Sequence, residues 1–136
     1  MSSTLCPYIA FRDDARAAME FYRDVFGGEL DVSTFGDFGM EGPDADKVMH
    51  AQLSTPSGLL LMASDTPEGM DHRPGGAITI SLFGDDRDDL VGWWQRLSDG
   101  GTVTMPLEKQ VWGDEFGMCT DRFGVAWMVN VGQAQA

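Results

Sequence analysis

Basic residues are scarce in this chain: 9 Lys and Arg stand against 22 Asp and Glu, a net charge of −13. Such a balance repels phosphate backbones and anionic membranes, so no nucleic acid and no membrane is expected as a partner. It suits a cationic ligand, but its ordinary effect is solubility. Cysteine is rare as well. Cys6 and Cys119 are too few for a disulfide framework and are expected as half-buried thiols. No run approaches the ~18 apolar residues of a membrane span. The opening MSSTLCPY has neither a basic patch nor a long apolar stretch, so a cytoplasmic location is expected. Ser-His-Asp order and P-loop are missing, and no glycine-rich loop follows a strand in the way that holds a nucleotide or S-adenosylmethionine. The glycine pairs Gly27-Gly28 and Gly100-Gly101 follow helical patterns instead, where they read as caps.

What the sequence does contain is a repeat. FRDDARAAMEFY, from Phe11, and FGDDRDDLVGWW, from Phe83, share Phe, Asp-Asp and a terminal aromatic pair at an offset of 72 residues. GLLLM, from Gly58, and GVAWM, from Gly124, match at an offset of 66. A slowly falling offset is expected of two copies whose loops differ in length.

Each copy has one grammar. A short apolar strand, PYIAF or AITISLF, is followed by Asp13-Asp14 or Asp85-Asp86, expected to cap a helix through a carboxylate. Ala15, Ala18, Met19, Tyr22, Val25 and Phe26 then recur at helical spacing, as do Leu90, Val91, Trp94 and Leu97. Three strand-like segments complete each copy, at 29–36, 47–54 and 58–64 and at 102–106, 111–119 and 125–131. Each copy is therefore a βαβββ unit, spanning about 5–65 and 76–131 within a single domain of 1–136. The expected class is α+β, with two units forming curved mixed sheets around a cavity. Gly- and Asp-rich loops lie over 36–46 and 66–76.

PYIAF, FYRDVFGGEL, VMHAQL, LLLMASD, VTMPLEKQVWGDEFG and TDRFGVAW, in this order, resemble the vicinal oxygen chelate superfamily over about residues 5–131. That superfamily includes glyoxalase I, bleomycin-resistance proteins and extradiol dioxygenases. The resemblance is to its PhnB-like branch, often labelled 3-demethylubiquinone-9 3-methyltransferase-like. In glyoxalase-type members the first and last strands of each unit supply His, Gln or Glu to a divalent metal. The resemblance places those positions at Pro7, Thr79, Met128 and Met62, or Leu61 if the register slips by one. Proline has no donor atom, threonine a neutral hydroxyl and methionine a soft thioether. A hard or borderline cation needs nitrogen or oxygen lone pairs, so neither a metal nor any other cofactor is expected.

His50, in VMHAQL, is a weak catalytic candidate, as a general base or relocated ligand; bonding to neighbouring backbone is its ordinary reading. His72 reads as a solvated loop residue. In EKQVWGDEFG, Trp112 and Phe116 offer flat apolar area, while Gln110 and Asp114 offer hydrogen bonds. The alternative is that both aromatics fill the sheet's concavity or a dimer seam. Met62, Thr79 and Met128 are expected to join the ligand site, among nine methionines that suit an adaptable pocket or ordinary core equally. Apolar Phe21 and Trp93 flank the helix faces, which points to a homodimer. The expected function is metal-independent binding of a small apolar or aromatic molecule. The alternatives are a glyoxalase- or dioxygenase-like enzyme with a relocated or non-metal site, and a structural or regulatory homodimer.

Overall fold

A computed structural model describes residues 5–67 and 78–132. His72 lies outside the described residues. The chain forms two compact units, Met1–Pro74 and Gly75–Ala136. The first contains β1 (Tyr8–Phe11), α1 (Ala15–Phe26), β2 (Glu29–Thr34), a 3₁₀ turn at Gly36–Phe38, β3 (Val48–Ser54) and β4 (Leu60–Asp65). The second contains β5 (Ile80–Gly84), α2 (Arg87–Ser98), β6 (Thr102–Lys109), β7 (Glu115–Thr120) and β8 (Ala126–Val131). Each is a βαβββ unit, and the α+β expectation holds.

The sheets have the same topology. Their strand orders are β1-β4-β3-β2 and β5-β8-β7-β6. In each, the first strand runs parallel to the last and the remaining pairs are antiparallel. A helix covers one face. In β4, Leu61, Ala63 and Asp65 are buried while Met62 and Ser64 between them are half-exposed. In β8, Trp127, Val129 and Val131 are buried and Ala126, Met128 and Asn130 are half-exposed. This period of two gives each sheet a helix face and an open face.

Helix α1 buries Ala15, Ala18, Met19, Tyr22 and Val25, the stripe that the spacing predicts, with Phe26 at its margin. Helix α2 buries Leu90, Trp94 and Leu97, with Val91 half-buried. Gly27 ends α1 at φ 76°, its N–H donating to the Arg23 carbonyl. The second glycine of each pair answers a different demand. A Cβ on Gly28 would lie 2.2 Å from the Ser54 carbonyl oxygen, and one on Gly101 would lie 2.2 Å from that of Thr120. Only glycine lets the backbones approach this closely.

Three expectations are corrected. The Asp-Asp pairs do not cap the helices: neither Asp14 nor Asp86 makes a side-chain cap bond. The Ala15 N–H donates instead to Asp65 Oδ1 at 2.9 Å, while Val48 N–H donates to Asp65 Oδ2 at 2.9 Å. A buried carboxylate from β4 thus satisfies the end of a helix fifty residues earlier in the chain. Next, residues 111–114 are a turn rather than the start of a strand, and β6 extends to Lys109. Two irregularities in β6 opposite β7 absorb the extra length. Finally, Cys119 is only 2% exposed, so its thiol is core rather than half-buried. Among the described residues no helix is long and apolar enough to cross a membrane.

Candidate functional site

The two open faces carry different chemistry. In the first unit, Tyr8 lies across the ladder from Met62, which lies across from Gln52, which lies across from Asp31. His50, two residues before Gln52, stands opposite Ser33. The Tyr8 hydroxyl and His50 Nδ1 are 3.2 Å apart, and their rings are tilted at a centroid distance of 5.8 Å. The expected backbone bond of His50 is therefore replaced by a phenol. Cys6 flanks this face, its Sγ donating to the Leu60 and Pro7 carbonyls at 3.3 and 3.2 Å. Burial pushes the Cys6 thiol pKa up.

The second unit's face carries a row of thioethers, and on the neighbouring row Glu108 and Asn130 flank Phe116. Met105 is paired with Met118, Met118 with Met128, and Met128 with Ser81, forming a row across four strands. Phe116 precedes Met118 on the same face and is paired with Asn130. Trp112 meets Phe116 edge-on, with ring centroids 6.3 Å apart and planes at 62°.

The turn that carries Trp112 is built by its own backbone. Gln110 N–H donates to the Asp114 carbonyl at 2.8 Å, and Gly113 N–H to the Gln110 carbonyl at 3.0 Å. Gly113 takes φ 102°, which favours glycine. The Asp114 carboxylate accepts a 3.1 Å bond from Asn130 Nδ2, and Gln110 Nε2 donates to the Glu108 carbonyl at 3.0 Å. One hairpin therefore brings together Gln110, Trp112, Asp114 and Phe116. Trp112 is 59% exposed, so it is not core filling in its unit.

The strand positions also become definite. Met62 is on the open face and Leu61 is buried on the helix face. Pro7 precedes β1, and its carbonyl accepts from the Met62 N–H; the side chain opposite Met62 belongs to Tyr8. Thr79 precedes β5, and the residue opposite Met128 is Ser81. Asn130 and Tyr8 were not singled out by sequence reasoning. Strand alternation from Met128 would have found Asn130; nothing local marks Tyr8 as the partner of His50, 42 residues away. Two clefts have other linings. One of about 440 Å³ is bordered by Asp13, Asp14, Glu20, Asp46 and Lys47, and one of about 560 Å³ by Asp85, Arg87, Lys109 and Glu115.

A doubled βαβββ unit with open sheet faces defines the class, and comparison with known proteins agrees. The chain belongs to the Glyoxalase/Bleomycin resistance protein/Dioxygenase superfamily, whose model matches residues 5–129. Protein YjdN of Escherichia coli is 28% identical over 96% of this chain and 97% of its own length. The structure is similar to that of PA1353 from Pseudomonas aeruginosa, with TM-score 0.87, 39% identity, and coverage of 98% of this chain and 100% of that one. It also shares the fold of a Bacillus cereus PhnB protein described as a putative 3-demethylubiquinone-9 3-methyltransferase. That match has TM-score 0.73, 21% identity, and coverage of 96% and 100%.

The metal positions implied by the family do not suit a divalent ion here. On the open faces they present a phenol and a thioether, Tyr8 and Met62, or a hydroxyl and a thioether, Ser81 and Met128. Among the described residues no three His, Cys, Asp or Glu side chains gather into a group that could hold a metal. Neutral hydroxyls and thioethers compete poorly with water for zinc or harder ions.

Proposed function

We propose that this protein binds a small apolar or aromatic molecule without a metal, on the open face of the second unit's sheet. The observation that carries the reading is the Met105–Met118–Met128 row running beside the Trp112–Phe116 pair. Thioethers are polarisable and flexible, so they fit ligands of differing outline and make favourable contacts with aromatic rings. Trp112 supplies a flat surface at an exposed turn, and Asp114 and Asn130 border it with polar groups. A methyltransferase activity, as in the description of the Bacillus relative, would call for a glycine-rich loop after a strand to hold S-adenosylmethionine, whereas the β1–α1 connection holds Arg12, Asp13 and Asp14.

Homodimerisation and a cytoplasmic location belong to the same proposal. Phe83, 77% exposed on β5, and Val103, 45% exposed on β6, are apolar surface that a second copy would cover. Two free thiols suit a reducing compartment.

Naphthalene and methyl-labelled methionine test the reading. Binding is expected to move the Met118 and Met128 methyl resonances and raise the melting temperature. Trp112→Ala should weaken binding at least about tenfold, a loss of about 1.4 kcal/mol, with the fold intact. Methyl resonances that stay still at saturating naphthalene would overturn the site. About one tightly held Zn, Ni, Mn or Fe per chain, by elemental analysis, would overturn the metal-free reading.

A further inference from the structure

The polar face of the first unit is a second candidate, and it does not rest on the methionine row. We infer that Tyr8, His50 and Gln52 form a hydrogen-bonding site for the carbonyl oxygen of an uncharged ligand. Three observations converge on it. His50 Nδ1 is engaged by the Tyr8 hydroxyl at 3.2 Å. Nε2 has no hydrogen-bond partner among the described residues, and neither has the Gln52 side-chain amide. Register places the groups together: Tyr8 and Gln52 flank Met62 on one row of the open face, and His50 is the open-face residue of β3 immediately before Gln52.

The bond to Tyr8 sets what the site recognises. Which nitrogen of a neutral imidazole carries the proton is decided by the hydrogen bond the other one makes. A phenol is a stronger donor than a neutral imidazole, so Tyr8 O–H donates to Nδ1 and leaves the proton on Nε2. Nε2–H and the Gln52 amide are then two donors on one face, with the Met62 thioether beside them, across the ladder from Gln52, as an apolar floor. Two donors over a soft apolar surface fit a carbonyl attached to an apolar body. The nearby charge selects against an anion. Asp31 lies across the ladder from Gln52, and the chain carries a net charge of −13, so a carboxylate ligand would be repelled where a ketone or amide is not.

Acetophenone, with cumene as its near-isosteric control without the carbonyl, separates recognition from mere apolar contact. Long-range ¹H–¹⁵N spectra of the histidine rings should show His50 as the Nε2–H tautomer, and acetophenone should move Nε2 together with the Gln52 amide. Cumene should leave both in place. His50→Leu and Gln52→Leu should each weaken acetophenone binding about fivefold, the factor that one net hydrogen bond of ordinary strength supplies. Tyr8→Phe should keep the fold and shift the His50 tautomer balance. Equal response to acetophenone and cumene would overturn the proposal, as would an Nδ1–H tautomer in the unaltered protein. Since this test reads first-unit nitrogens and the naphthalene test reads second-unit methyls, the two proposals fail independently.

Discussion

Beneath the two helices, one backbone plan is carried out with different side chains. The turn before the last strand is the same in both units. Thr55 N–H donates to the Leu59 carbonyl and Gly58 N–H to the Thr55 carbonyl, as Asp121 and Gly124 do to Val125 and Asp121. Yet the buried carboxylate has changed ends. In the first unit it is Asp65, at the end of β4, holding Ala15 and Val48; the equivalent residue in the second is Val131. In the second unit it is Asp121, before β8, accepting from Phe123 N–H, Val125 N–H and Trp127 Nε1; the equivalent in the first is Thr55. Volume is exchanged in the same way. Tyr22 on α1 and Ala51 on β3 correspond to Trp94 on α2 and Gly117 on β7, where a Cβ would lie 2.9 Å from the indole Cη2. A larger ring has taken the space of a methyl group. The repeat therefore preserves backbone approach, while polar satisfaction and packing volume are each met by whichever residue can reach.

The largest test of this comparison is removal of the two carboxylates. Asp121→Ala should cost about 3–5 kcal/mol, because it strands a buried indole N–H and two amides. Asp65→Ala, which strands two amides, should cost about 3 kcal/mol. Urea unfolding gives both; a loss under 1 kcal/mol in either would mean that water replaces the carboxylate.

A smaller effect concerns volume. Gly117→Ala should destabilise by about 1–3 kcal/mol through overpacking, and Trp94→Tyr in the same chain should recover part of it, making the second unit resemble the first. The recovery is partial because Leu107 Cα also lies 2.9 Å from the added Cβ. Additive costs in the double-mutant cycle would show that Trp94 and Gly117 are not coupled.

The smallest effect separates the thiols. Burial, helped by the Asp121 charge, pushes the Cys119 pKa from 9.0 up to about 11. A raised acid pKa favours the neutral thiol in the fold. Its stabilising contribution is constant below pH 9.0 and is lost as pH rises towards about 11. Native protein at neutral pH should therefore label at Cys6 before Cys119 with a thiol-reactive disulfide, and mass spectrometry of the peptides identifies which. Cys119 reacting first would contradict its burial.

The doubled unit, both helices and their buried stripes were legible because the signals are local. Periods of 3.6 and 2, glycine pairs and turn sequences each act over a few residues. Gln110, Trp112, Asp114 and Phe116 came together for the same reason, since one hairpin contains them all. Residues 111–114 misled because Val111 and Trp112 have strand propensity, which the Gln110–Asp114 turn bonds and Gly113 override.

By itself the sequence determined the order of elements, their apolar faces and the residue chemistry available at each strand position. Only the tertiary structure decided which distant group meets which. Asp13 and Asp14 are adjacent to α1, yet Asp65 satisfies it, because β4 brings a buried carboxylate where desolvation makes that bond worth more than an exposed one. Tyr8 rather than backbone holds His50, because β1 and β3 both flank β4 and the pleat turns both side chains to the open face. Such pairings depend on strand order and register, and a shift of one residue would turn every side chain on a strand to the other face.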